Sequence, residues 1–149
     1  MRITQEADYA LRITSLLSGR DTPIGAPELA EKVKVPPRFA MKLLRKLALQ
    51  GVVRSTRGAS GGYSLAVSAD QLTVRQVIEA IDGKIEITKC LSDCHICLNN
   101  PDKSVCRFHN VFAHLNRELT SKLDMLSIAQ MTDEELSVEH LIGILNKEN

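Results

Sequence analysis

Tryptophan is absent from this sequence, and aromatic residues make up only 3% of it. Proteins that hold single-stranded nucleic acid stack bases on aromatic rings, so that mode of binding is excluded as a main activity. No run of about 18 apolar residues occurs, which excludes a membrane-spanning helix. The opening MRITQEADYALR carries Glu6 and Asp8 and has no long apolar core, so it does not read as a secretory signal. The patterns H-E-x-x-H and the P-loop are missing. The histidines and carboxylates show no spacing suited to paired acid–base work, and the sequence is therefore read as a non-enzyme. Internal repeats and low-complexity tracts are also missing. Hydrophobic residues nonetheless reach 44%, enough for a folded core. The expected location is cytoplasmic, where thiols stay reduced and disulfides are rare.

The net charge of +1 conceals an asymmetry. Residues 1–67 hold eleven Lys/Arg against five Asp/Glu, whereas residues 68–149 hold eight against thirteen. A basic front half and an acidic back half place any polyanion on the front half.

The pattern of apolar residues predicts mostly helices. Ile3, Ala7, Ala10, Leu11, Ile13, Leu16 and Leu17 recur at three- and four-residue spacings, an amphipathic helix from about Thr4 to Ser18. Asp8 and Arg12 lie one turn apart on its other face, as a weak surface ion pair would. A short helix follows, with Pro27 near its start and Leu29, Ala30 and Val33 as its stripe. The third helix, about Pro37 to Gln50, collects Phe39, Ala40, Leu43, Leu44, Leu47 and Ala48 on one face and Arg38, Lys42, Arg45 and Lys46 on the other. Two β-prone runs, Val52–Thr56 and Gly62–Val67, then flank a Gly/Ser-rich tip and predict a hairpin.

Helix, short helix, basic helix and hairpin are the order of a winged helix-turn-helix. The expected partner is double-stranded operator DNA. Lys42, Arg45, Lys46 and Arg54 are the candidate phosphate contacts. Arg38, Phe39, Met41 and Lys42 stand where the third helix would read bases, and Arg57 on the wing would enter the minor groove.

Further along, LTVRQVIEAI predicts a fourth helix with Leu72, Val74, Val77, Ile78 and Ile81 inward. Phe108, Phe112, Leu115, Leu119, Leu123 and Leu126 then follow a seam spacing over a long helix that needs a partner, and a homodimer is expected because such DNA readers pair across two half-sites. Thr132 and Glu135 suggest a capping box for a last helix that includes Leu136, Leu141, Ile142 and Leu145. The fold class is thus mainly α with a small β-wing: a winged helix-turn-helix domain plus a long C-terminal dimerisation helix. The expected divisions are 1–83 for DNA binding, 84–107 for a cysteine-rich loop and 108–149 for the dimerisation and C-terminal helices.

That loop is the most uneven stretch of the chain. KCLSDCHICLNNPDKSVCRFH holds all four cysteines, Cys90, Cys94, Cys97 and Cys106, with His109 three residues beyond the last. Three or four thiolates on one point suit an iron–sulfur cluster or a soft metal. Zinc is the alternative, since Cys94-x2-Cys97 is a common zinc half-site. A dithiol redox role for that pair is a weaker alternative, because no βαβ unit stands beside it.

Taken together, MRIT…DYALR, the wing STRGASGGYSLA, the following LTVRQVIEAIDG and the loop ending in CRFH resemble the Rrf2 family of bacterial transcription regulators over nearly the whole chain. The resemblance implies a dimer of winged-helix subunits joined by a long helix, with a [2Fe–2S] or [4Fe–4S] cluster in the preceding loop setting DNA affinity. The signals it implies are redox state, nitric oxide, or iron and cluster supply, and repression is the expected mode. Cys90, after Thr88-Lys89, matches the family's first loop cysteine and Cys106 its last. The middle position falls to Cys97 on spacing, with Cys94 beside it. The fourth ligand matches His109 by one pattern in the family and Asp8 by another, and Cys94 is a further candidate. Where one branch carries a site-discriminating glutamate in the third helix, this chain has Met41, so target sequences need not carry over.

Overall fold

The computed structural model describes residues 3–58, 60–93, 96–99 and 102–146. Seven α-helices and one two-stranded sheet are found there: α1 (Gln5–Ser18), α2 (Ala26–Lys32), α3 (Pro37–Leu49), β1 (Val53–Thr56), β2 (Gly62–Leu65), α4 (Val74–Asp82), α5 (Arg107–Asp124), α6 (Ile128–Thr132) and α7 (Val138–Leu145). One-turn 3-10 helices stand at Lys89–Leu91 and Lys103–Val105. The described chain has no helix long and apolar enough to cross a membrane.

Helix α1 starts where the Thr4 hydroxyl accepts the Ala7 N–H. It buries Ala7, Ala10, Ile13 and Leu17, as the spacing predicts, together with Thr14, whose hydroxyl donates back to the Ala10 and Leu11 carbonyls. Leu11 and Leu16 pack at the fringe, while Ile3 is exposed. In α2 the stripe Leu29, Ala30 and Val33 is buried in full. The turn after it puts Lys34 at φ +57°, a left-handed position usually filled by glycine. Pro36 and Pro37 then open α3, where a missing N–H does no harm.

The inward face of α3 is Ala40, Leu43, Leu44 and Leu47, all at 0% exposure. Burying one such leucine is worth roughly 1.5–3 kcal/mol. Phe39 is half-buried, and Ala48 lies outside the core. Gly51 turns the chain at φ +71°, and β1 pairs antiparallel with β2 in the register Val53–Leu65 to Thr56–Gly62. The hairpin is fastened to the rest by a second pairing: Ile24 and Tyr63 exchange backbone hydrogen bonds of 3.0 and 2.9 Å. Gly62, at φ +157°, permits this closeness, because a Cβ there would sit 2.5 Å from the Ile24 carbonyl oxygen.

Thr73 caps α4 in a reciprocal box with Gln76, and Leu72, Val74, Val77 and Ile78 are buried. The predicted seam divides in two. Leu119 and Leu123 turn to the core, while Phe108 and Leu115 are 77% and 48% exposed. Leu126 is not on the helix at all. Helix α5 stops at Asp124, whose carboxylate accepts from Arg75 and from the Thr73 hydroxyl. The chain then runs extended against the start of α4, with the Val74 N–H on the Leu126 carbonyl and the Ile128 N–H on the Leu72 carbonyl.

The C-terminal capping expectation is also corrected. Thr132 ends α6, its hydroxyl returning to the Ile128 and Ala129 carbonyls, and the Glu135 N–H bonds Asp133. The cap of α7 is Ser137, so Leu136 precedes the helix. A true capping box opens α6 instead, from Ser127 and Gln130. The signal Ser-Ile-Ala-Gln was present in the sequence, but five helical residues are too few to show a periodicity.

Candidate nucleic-acid interface and cysteine loop

Helix α3 and the hairpin present one basic surface. Arg38, Lys42 and Arg45 on α3, and Arg54 and Arg57 on the hairpin, are exposed, and Met41 is 45% exposed. Among the described residues no carboxylate pairs with Arg38, Arg45, Arg54 or Arg57. Arg54 is steadied from the neighbouring strand, its Nε donating 3.1 Å to Ser64 Oγ.

Two of the predicted contacts are held differently. Lys42 and Lys46 both reach Glu6 of α1, Nζ to carboxylate oxygen at 2.5 and 2.6 Å. Their hydrogen bonds, Lys42 first and Lys46 second, hold the Glu6 carboxyl below its ordinary value. Phe39 is also engaged: its ring meets Tyr9 edge-on at 5.7 Å, with the Lys42 ammonium 5.7 Å from its centroid. Neither the Glu6 grip nor the Tyr9 contact has a local sequence signal, because the partners are thirty or more residues apart.

The cysteine loop begins on a stitched segment. The Ile85 N–H bonds Glu79 Oε1 at 3.1 Å, which ties the segment to α4. Asn116 of α5 takes the Ile87 N–H on its Oδ1 at 3.0 Å and gives its Nδ2 to the Ile85 carbonyl at 2.9 Å. Asn116 thus acts as a neighbouring strand would, and sequence reading gave it no role. Beyond it, Cys90 lies half-buried in the first 3-10 turn, with its Sγ 3.0 Å from Thr88 Oγ1. Lys103 donates to the Ser92 carbonyl at 3.1 Å and ties the two ends of the loop together.

Cys97 and Cys106 are half-buried and free, like Cys90. Cys106 is the N-cap residue of α5. His109 stands in the first turn of that helix, and its Nδ1 is buried without a hydrogen-bond partner among the described residues. An unpaired imidazole nitrogen costs free energy unless something occupies it. Asp8, by contrast, is already paired with Arg12 at 2.9 Å. Cys94 lies outside the described residues. Within them, no group of three or more His, Cys, Asp or Glu converges as a metal site would require. The donor chemistry, soft thiols with an orphaned imidazole, suits a cluster or soft metal.

Comparison with known proteins settles the family. The Rrf2 family model, described as an iron-dependent transcriptional regulator, matches residues 3–134. This chain belongs to the Rrf2 family. A protein of Rhodobacter capsulatus, named as an rrf2-like HTH-type transcriptional regulator, is 34% identical over 142 residues, covering 87% of this chain and 91% of its own. The transcriptional regulator IscR of Aliivibrio salmonicida is 28% identical over 139 residues, or 91% of this chain and 80% of that one. The solved structure of CymR, the global cysteine regulator of B. subtilis, superposes with a TM-score of 0.70 at 22% identity, covering 89% of this chain and 96% of that one. The Rrf2 fold accounts for the order observed here, α1 to α3 followed by the hairpin as a winged helix-turn-helix. Rrf2 proteins are transcriptional regulators and not enzymes, which supports a DNA-binding regulator.

Proposed function

We propose that this Rrf2 protein is a cytoplasmic homodimer that binds double-stranded operator DNA, represses transcription from it, and adjusts its affinity through an iron–sulfur cluster held by the cysteine loop. The observation that carries the proposal is the placement of the loop: its entry is stitched by Glu79 and Asn116 to α4 and α5, and its exit, Cys106, is the cap of α5. A change in the loop therefore bears directly on two helices that pack against each other and, through α4, on α1 and α3.

Cys90, Cys97 and Cys106 would hold the group, with His109 as the fourth ligand, since its Nδ1 lacks a partner while Asp8 has one. Cys94 remains a further thiol in the same loop. When bound, the cluster supplies a centre sensitive to oxidants, nitric oxide and iron supply. The protein's part is to convert its presence into a placement of α5. A 5- to 150-fold change in DNA affinity needs only about 1–3 kcal/mol of coupling. The exposed N-terminal half of α5, with Phe108, Val111 and Leu115, supports a dimer contact on that side.

Anaerobic purification tests the reading. The expected product is coloured, contains iron and acid-labile sulfide, and loses both in Cys106→Ser. His109→Ala should make the cluster labile, while Asp8→Ala should leave its spectrum unchanged. Colourless protein, or stoichiometric zinc from aerobic and anaerobic preparations alike, would overturn it.

A further inference from the structure

Of the basic side chains on α3, Lys42 and Lys46 are the pair already met by an anion. Glu6 reaches across from the first turn of α1 and places one carboxylate oxygen on each ammonium, at 2.5 and 2.6 Å. This is how a DNA phosphate would sit between the same two lysines, one oxygen to each. The lysines remain accessible, at 54% and 38% side-chain exposure, while Glu6 is the more enclosed at 24%. A duplex approaching α3 therefore meets a carboxylate already seated where a phosphate would go. Arg38, Arg45 and Arg57 have no such occupant among the described residues.

We propose that Glu6 is a built-in phosphate mimic that restrains sequence-independent binding to DNA. Non-specific affinity comes almost wholly from lysine and arginine neutralising phosphates and releasing counterions. Two lysines that share the single negative charge of Glu6 release fewer counterions on a random duplex. At an operator, base contacts by α3 add to the affinity that remains. The inference rests on the DNA-binding reading and makes Glu6 a restraint on phosphate contact within it.

The test uses the full chain and a random-sequence duplex of about 30 base pairs, titrated across a salt series. Glu6→Gln keeps the shape of the side chain and removes its charge. It should tighten binding to random duplex roughly 5- to 50-fold near 0.1 M salt and steepen the slope of log K against log salt by about one unit. Lys42→Gln and Lys46→Gln should each weaken binding more in the Glu6→Gln background than in the unaltered one. An equal cost in both backgrounds would mean that the gain came from net charge alone, and would overturn the proposal. Unchanged affinity and slope in Glu6→Gln, against an unaltered protein that binds, would overturn it while leaving the DNA-binding reading intact. An unaltered protein showing no salt-dependent duplex binding would overturn both. Melting curves of Glu6→Gln within a few degrees of the original exclude misfolding as the cause.

Discussion

Asn116 holds Ile87 as a strand would, its Oδ1 accepting the Ile87 N–H at 3.0 Å while its Nδ2 serves the Ile85 carbonyl two residues back. A single side chain of α5 thereby fixes the entry to the cysteine loop. Asn116→Ala leaves both backbone groups without a protein partner, and such losses run to about 1–3 kcal/mol. Thermal unfolding should show a drop of several degrees, with hydrogen exchange at Ile87 rising more than at Ile78 in the core. Equal protection at both positions would contradict the role given to Asn116.

Gly62 is expected to be the least replaceable position of the wing. At φ +157°, with the Ile24 carbonyl 2.5 Å from any added Cβ, Gly62→Ala must part the hairpin from the α1–α2 connection. Strain and two lost backbone bonds together should cost about 2–4 kcal/mol. Denaturant melts measure the loss, and tyrosine fluorescence from Tyr63 should report the detachment.

Lys34 offers a gain. Its left-handed backbone at φ +57° closes the turn between α2 and α3. Glycine takes that conformation without a Cβ penalty, so Lys34→Gly should raise stability by up to about 1 kcal/mol. A lower midpoint in urea would show that the Lys34 side chain contributes more than its backbone costs.

The Glu6 grip also fixes a pH dependence. Its folded carboxyl titrates below the ordinary 4.5, because Lys42 first and Lys46 second stabilise the charged form. A depressed acid contributes stability that is complete above its unfolded value and disappears as pH falls through the folded one. Unaltered protein should exceed Glu6→Gln by no more than about 1 kcal/mol at pH 7, the ceiling for partly exposed pairs. The advantage should shrink below pH 4.5 and vanish once Glu6 is protonated. A difference that stayed constant from pH 7 to pH 3 would rule out the ion pair as its source.

The winged-helix half was legible because its elements are long or sharply punctuated. Thirteen residues of α3 repeat the apolar period several times, and two prolines and a glycine mark its ends. The seam reading failed at Leu126 for a reason that periodicity cannot express: Thr73 and Arg75 at the start of α4 hold Asp124 and draw the chain off the helix from about fifty residues away. Thr132 and Ser127 each offered a capping signal, and choosing between them needed the packing of α6 on α1. In the candidate site, residue types were readable while their partners were not. Lys46 looked like a free phosphate ligand until α1 placed Glu6 against it. His109 was a candidate ligand from its spacing to Cys106, and burial of its unpaired Nδ1 adds a physical reason.

The pair of backbone bonds between Ile24 and Tyr63 has a bearing on how a duplex is measured. They rivet the wing to the same chassis that carries α2 and α3, so in the proposed DNA-binding mode the span from Arg45 to Arg54 is set before any DNA arrives. Within one subunit the proposed reading head is then a fixed caliper. A site whose groove does not match that opening can be accommodated only by deforming the duplex, and the stiffness of its base steps becomes part of what is recognised.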